Sequence, residues 1–384
     1  CGRSDRSLHS RMLTAESRLA DFPALSGMAY LNTAAESIPP ACVPEALTQY
    51  VRDKALGMRG RQVHDATLES CREVAARMVG LQTDEVSFCS CSSEAYNLLA
   101  NALNLGPDDE VLITDLDFPA GATPWLNAAM PPRVNLWKAT NGALDTNDLA
   151  ALLNDRTRLV QVSLVSFYNG HRLDWAPFIA AVREHAPRAK VSVDITQALG
   201  RIELDCTDFD ILISSTHKWV LGIHGGCIVG IPKRENEITT HAGGWFHLEN
   251  AFEPDRFERT VRKLGAASFS VGMPNYAAIY ALNASLRYIE NVGVAVIAAH
   301  ADPLVAQMET ALCDLGHPPM AAQRKGNFSG ILAIQPEHPN DLHAQLEAAE
   351  VHVMNHAGRL RMALHGYNTA EDVKRFLDEV KKQK

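Results

Sequence analysis

VSVDITQALGRIELDCTDFDILISSTHKW, Val191 to Trp219, is the stretch whose reading decides the fold. It opens with a β-branched run closed by an acid, Asp194, and a helix-like stretch from Thr196 to Arg201 follows. A second apolar strand is expected from Phe209 to Ile213, running into a polar turn of Ser214, Ser215, Thr216, His217 and Lys218. Two strands therefore deliver an acid and a lysine to their carboxyl ends, the edge where open α/β sheets place their ligands. A lysine in a hydroxyl-rich turn suits a group that forms a Schiff base, and the hydroxyls with His217 could hold a phosphate beside it. The acid would then partner a pyridine nitrogen.

Working outward, the chain has 384 residues, 46% of them hydrophobic, which suffices for a large core and two domains. A formal net charge of −9 with no long basic stripe argues against nucleic acid as the main partner. Apolar runs such as Val292 to Ala299 fall short of the roughly 20 residues a membrane helix needs, so no membrane partner is expected. Eight cysteines are scattered, which suggests reduced thiols and a cytoplasmic location. Neither Cys-x-x-Cys nor a His/Cys cluster at zinc spacing occurs, and no metal is expected. Cys1 reads as a processed end or a boundary, with lipid attachment as the lesser reading, and Arg3, Arg6, Arg11 and Arg18 read as a solvated arm.

Asp194-x-x-Gln197 and Ser215-x-His217-Lys218 occur in an order and at a separation that resemble the class V aminotransferase group of pyridoxal-phosphate enzymes. That group includes cysteine desulfurases, isopenicillin-N-epimerase-like proteins and related C–S lyases. The resemblance covers most of the chain and implies an α/β fold: a mostly parallel central sheet flanked by helices (fold type I) with a smaller α+β C-terminal domain. It divides the chain into an N-terminal arm and joining segment (1–40), a large cofactor-binding domain (41–280) and a small domain (281–384). The boundary falls in a long helix expected from Tyr276 to Asn291.

Further residues carry the resemblance on both sides. Tyr30 to Ala35 is similar to a segment that passes close to the substrate, with Ala34 as the small residue allowing approach; an ordinary strand is the alternative. Arg59 matches an arginine that reaches the neighbouring subunit's site, or is a surface charge. After a strand from Val86 to Cys89, Ser92 and Ser93 at the start of a helix resemble the family's Thr-Thr-Glu-Ala phosphate cup, with plain capping as the alternative. Strands are also expected at Glu110 to Thr114, Val134 to Trp137 and Leu159 to Val165, with a helix from Trp175 to His185. Phe118 stands where cysteine desulfurases carry a histidine over the cofactor; it can stack but cannot transfer a proton. In the Ser166 to His171 loop, either Phe167 replaces the usual cofactor-contacting Asn or Asn169 has taken its role. Ser270 to Asn275 resembles Gly-Thr-Pro-Asn, whose threonine reaches the partner's phosphate, but Met273 supplies only an amide. Arg361, with Arg359 as competitor, resembles the arginine that holds the substrate α-carboxylate.

The resemblance implies pyridoxal 5'-phosphate carried by Lys218, with Asp194 on the ring nitrogen and Gln197 on the phenolic oxygen. It also implies an amino-acid substrate and a homodimer with both sites at the interface. Group members that pass sulfur as a persulfide need a cysteine ahead of the substrate arginine, and Val351 to Gly358 has none. A β-eliminating C–S lyase needs no such thiol and is the expected activity. Aminotransferase, epimerase and a non-catalytic cofactor-binding protein are the alternatives. No Gly-x-Gly-x-x-Gly occurs, which counts against a nicotinamide oxidoreductase.

Overall fold

The computed structural model describes residues 15–235, 237–323 and 327–382. In chain order its strands are β1 (Ala29–Tyr30), β2 (Val86–Cys89), β3 (Glu110–Thr114), β4 (Arg133–Trp137), β5 (Thr157–Ser163) and β6 (Lys190–Asp194). They continue as β7 (Ile211–Ser215), β8 (Cys227–Gly230), β9 (Ile331–Ile334), β10 (Val351–His352), β11 (Met354–His356) and β12 (Arg359–Ala363). A seven-stranded sheet has the order β2-β8-β7-β6-β5-β3-β4. β8 alone runs against both its neighbours, and the remaining pairings in this sheet are parallel.

The central strands are nearly continuous apolar runs because helices cover both faces of the sheet. Their side chains divide by the two-residue period of a strand. Val160, Val162, Val191, Val193, Leu212 and Ile228 enter one core, whereas Leu159, Ile211, Ile213 and Val229 enter the core on the other face. The helix Tyr276–Val292 packs into the first of these through Ile279, Leu282, Leu286 and Ile289, spaced for one helical face. No single helix among the described residues is long and apolar enough to cross a membrane.

A third core lies under β9 and β12, which with β11 form an antiparallel sheet, and under the β1–β10 pair. Ala29 and Leu31 join Val305, Met308, Leu312, Leu346, Leu360 and Phe376 there, so the N-terminal segment is anchored on C-terminal residues. The last helix, Ala370–Lys381, is started by a capping box in which Thr369 and Asp372 each accept the other's backbone N–H. Its buried stripe of Val373, Phe376, Leu377 and Val380 closes the cluster.

The key stretch differs from the sequence reading in two ways. Thr196 to Arg201 is a series of turns, because Gly200 takes φ +89° and ends the helical path begun by the Ile195 carbonyl. The second strand lies two residues later than expected, and Ser214 and Ser215 belong to it, paired with Ile228 and Cys227. Arg18 is not a solvated arm residue. It donates to the Met28 and Tyr367 carbonyls and pairs with Asp372 at 3.4 Å. Cys1, Arg3, Arg6 and Arg11 lie outside the described residues.

Candidate active site

The sheet brings the chemistry to one edge. β5 and β6 end side by side at Ser163 and Asp194, β7 ends beside them at Ser215, and β2 feeds the helix Ser92–Leu103. The cleft at this edge is lined by Asp194, Gln197, Ser215, His217 and Lys218 from the key stretch. Ser92, Phe118, Ser163, Val165, Phe167 and Thr196 complete it. Two larger clefts, of about 680 and 640 Å3, lie away from these residues.

Lys218 follows β7 in a turn tightened by Thr216, whose carbonyl accepts the Gly222 N–H and whose hydroxyl donates to the Ile223 and Gly226 carbonyls. A Cβ on Gly222 would stand 2.6 Å from the Thr216 oxygen, so the turn requires glycine there. Burial pulls the Lys218 amine down to about 8, partly offset by Asp194 and reinforced by Arg361. Its Nζ lies 5.3 Å from the centre of the Phe118 ring. Phe118 is not a core residue: it is 45% exposed and meets Phe167 edge to face at 5.0 Å. Burial, helped by Lys218 and His224, pushes His217 down to about 4, so its ring is neutral near pH 7.

Asp194 is held from both sides. The Thr196 N–H donates to its Oδ1 and the Tyr96 hydroxyl to its Oδ2, each at 2.7 Å. Tyr96 went unrecognised in the sequence although it lies four residues after Ser92, on the same face of one helix. Gln197 is more committed than its expected role implies. Its Nε2 donates to the Ala34 carbonyl at 3.0 Å and its Oε1 accepts from Trp219 at 2.6 Å, leaving one N–H for a ligand oxygen. Ala34 thus reaches the site through its backbone, and Ser37 bonds the His217 carbonyl from the same segment.

Three buried guanidiniums allow a comparison. Arg201 pairs with Asp302 at 2.7 Å. Arg359 donates to the Tyr168 and His356 carbonyls and lies 3.9 Å over the Tyr168 ring. Arg361 donates to the Phe167 carbonyl at 2.5 Å, and its buried Nε has no partner among the described residues. Burial and neighbouring Arg359 pull it down to about 10. Arg361 is not among the cleft-lining residues, but of the three it is the one with neither a carboxylate partner nor an aromatic ring beneath it among the described residues, and its Nε is unpartnered.

Other expected residues fall elsewhere. Asn169 is not among the cleft-lining residues: it donates to the Gly142 carbonyl and accepts the His171 N–H, and Phe167 is the residue of this loop that lines the cleft. Ser93 is exposed and outside the lining, whereas Ser92 is within it. Arg59 lies in the exposed 3-10 turn Gly57–Gly60, and Met273 is 40% exposed; neither lines this chain's cleft. Glu36, His217 and His224 present ligand atoms within 4.8 Å of one another. However, the two rings stack at 17°, so their in-plane lone pairs do not converge, and His224 pairs with Glu36 at 3.1 Å.

A buried amine of lowered proton affinity, a carboxylate at the adjacent strand end, a serine-led helix start and a buried guanidinium without a carboxylate partner fit pyridoxal phosphate and an amino acid. The sequence profile of aminotransferase class V matches residues 29–376. The chain belongs to the class V aminotransferase family. An "uncharacterized aminotransferase YcbU" of Bacillus subtilis is 27% identical over 366 residues, covering 94% of this chain and 95% of that protein. A cysteine desulfurase of Dickeya dadantii is 29% identical over 322 residues, 78% and 76% of the two chains. Among solved structures, a cysteine desulfurase from Thermococcus onnurineus superposes with a TM-score of 0.85 at 22% identity, covering 96% and 97%. The cystine C–S lyase C-DES, in complex with cysteine persulfide, gives 0.85 at 20%, covering 94% and 98%. As a class V family member the protein is a pyridoxal-phosphate-dependent enzyme of fold type I.

Proposed function

We propose that this enzyme acts at Cα and Cβ of an amino acid as a β-eliminating C–S lyase without a persulfide-carrying cysteine. The observation that carries the reading is Arg361: a buried guanidinium lacking a carboxylate partner, electrostatically coupled to a lysine whose amine titrates near 8. A fork of N–H donors suits an α-carboxylate, and the nearby amine suits proton transfer at Cα.

When bound, pyridoxal phosphate supplies an electron sink for negative charge at Cα. Lys218 would hold it, and its amine, lowered by burial, would accept the Cα proton on Nζ. Asp194 would balance positive charge on the ring nitrogen, and the remaining N–H of Gln197 would be available to the phenolic oxygen. Ser92, Ser215 and neutral His217 offer hydrogen bonds to the phosphate. Phe118 offers a ring face and no proton, so proton movement at Cα falls to Lys218.

Elimination is preferred over persulfide transfer because Val351 to Gly358 carries no thiol, and Cys313 is exposed on the helix Val294–Asp314, outside the cleft lining. Transamination is the second reading, favoured by the near-full-length likeness to the Bacillus subtilis protein. The two separate in one experiment, an amino-acid panel scored together for sulfide, keto acid and stereoinversion. Pyruvate and ammonia formed with sulfide from cysteine, or with cysteine persulfide from cystine, support the lyase. Keto acid formed only with an amino acceptor supports the aminotransferase, and stereoinversion alone overturns both.

A further inference from the structure

We infer that Tyr96 is a positioning residue that keeps Asp194 ionised, so that the proton shared between Asp194 and the cofactor's ring nitrogen stays on the nitrogen. The inference rests on the reading of Asp194 as that nitrogen's partner. Tyr96 is almost fully buried, and its hydroxyl donates to Asp194 Oδ2 at 2.7 Å. The Gln161 amide stands 3.4 Å behind that hydroxyl and orients it, while Thr196 N–H fills Oδ1. Burial and the adjacent carboxylate push the Tyr96 phenol well up, so it remains a donor across the working pH range.

Both groups are donors to the carboxylate oxygens, and hydrogen bonds donated to a carboxylate favour its charged form. A proton placed between Asp194 and a pyridine nitrogen is thereby biased toward the nitrogen. The charged groups around the pair act in both directions. Lys218 favours the carboxylate, whereas the neighbouring Asp117 and the Cys227 thiol oppose it when ionised. Asp117 is itself pushed up to about 7 by burial, against bonds from Thr114 and Ser163, so it adds little opposition below neutrality. A hydroxyl donor that does not ionise is thus the fixed element of this pocket. Phenylalanine at position 96 would retain the ring packing and remove only the donor.

The test has two readouts. In cofactor-free protein with carbon-13-labelled aspartate, Tyr96→Phe is expected to lower the Asp194 proton dissociation constant about tenfold or more. In protein loaded with nitrogen-15-labelled pyridoxal phosphate, the ring-nitrogen resonance is expected to move toward the unprotonated position. That response should vanish in the Asp194→Asn background. Incorporation of 3-fluorotyrosine at position 96 strengthens the donor and should shift the Asp194 titration the opposite way, which keeps the test decisive if Tyr96→Phe fails to fold. An Asp194 titration unmoved by the folded variants overturns the inference. A moved titration with an unmoved nitrogen resonance overturns instead the pairing of Asp194 with the ring.

Discussion

Replacing Arg361 by methionine should leave the enzyme no less stable and make it far less active. Burial holds the Arg361 guanidinium at about 10, and at pH 7 the group is charged in both folded and unfolded chains. Its lowered folded value therefore opposes folding throughout that range, by roughly 3 kcal/mol at ~1.4 kcal/mol per pKa unit. Methionine removes that cost while giving up the charge-assisted bond to the Phe167 carbonyl, worth about 1.5–3 kcal/mol. Cofactor-free Arg361→Met should thus gain about 0–1.5 kcal/mol, read as a urea midpoint that holds or rises at unchanged slope. Toward substrate, losing a forked pair of charge-assisted hydrogen bonds costs roughly 3–5 kcal/mol, or about 10²- to 10⁴-fold in kcat/KM. Arg359→Met should leave kcat/KM within a few-fold, because Arg359 is engaged by carbonyls and the Tyr168 ring. A variant at 361 that is both destabilised and nearly fully active, with the loss appearing at 359, would refute the reasoning.

Covalent capture of pyridoxal phosphate by cofactor-free protein should accelerate as pH rises and level off above about 8, because the neutral Lys218 amine is the nucleophile. A rate still climbing steeply beyond pH 10 would mean an ordinary solvated lysine. Asp194→Asn should retain the cofactor by absorbance yet lose about 10- to 1000-fold in turnover, since an amide carries no charge to hold the ring nitrogen protonated. Turnover within threefold of the parent would remove that role. The protein is also expected to sediment as a dimer at micromolar concentration, with exposed Phe252, Phe257 and Met273 as candidates for contact surface. If Arg59 serves the partner's site, mixing Arg59→Ala with Lys218→Ala chains should restore activity; none after proven subunit exchange would assign Arg59 to its own chain or to neither.

The parallel sheet and the lysine–acid pair were legible because they follow from local pattern: β-branched runs that end in polar residues, repeated at the spacing of a crossover. Side-chain direction inside loops was not. Asn169 and Phe167 are two residues apart, yet Phe167 lines the cleft while Asn169, next to Gly170 at φ +81°, is bonded to Gly142 and His171. No spacing rule places that carbonyl. Gln197 was found, but its bonds to Ala34 and Trp219 connect residues 163 and 22 positions away and arise only on folding. Tyr96 was within reach, since a helix that presents Ser92 to a ligand presents position 96 to the same side.

Sodium borohydride reduction of the cofactor-loaded enzyme, followed by peptide mapping, tests the central claim most directly. A pyridoxyl group on Lys218, in the peptide that follows β7, is the expected result. The same group on any other lysine, or no retained label in a protein that binds pyridoxal phosphate, would contradict it.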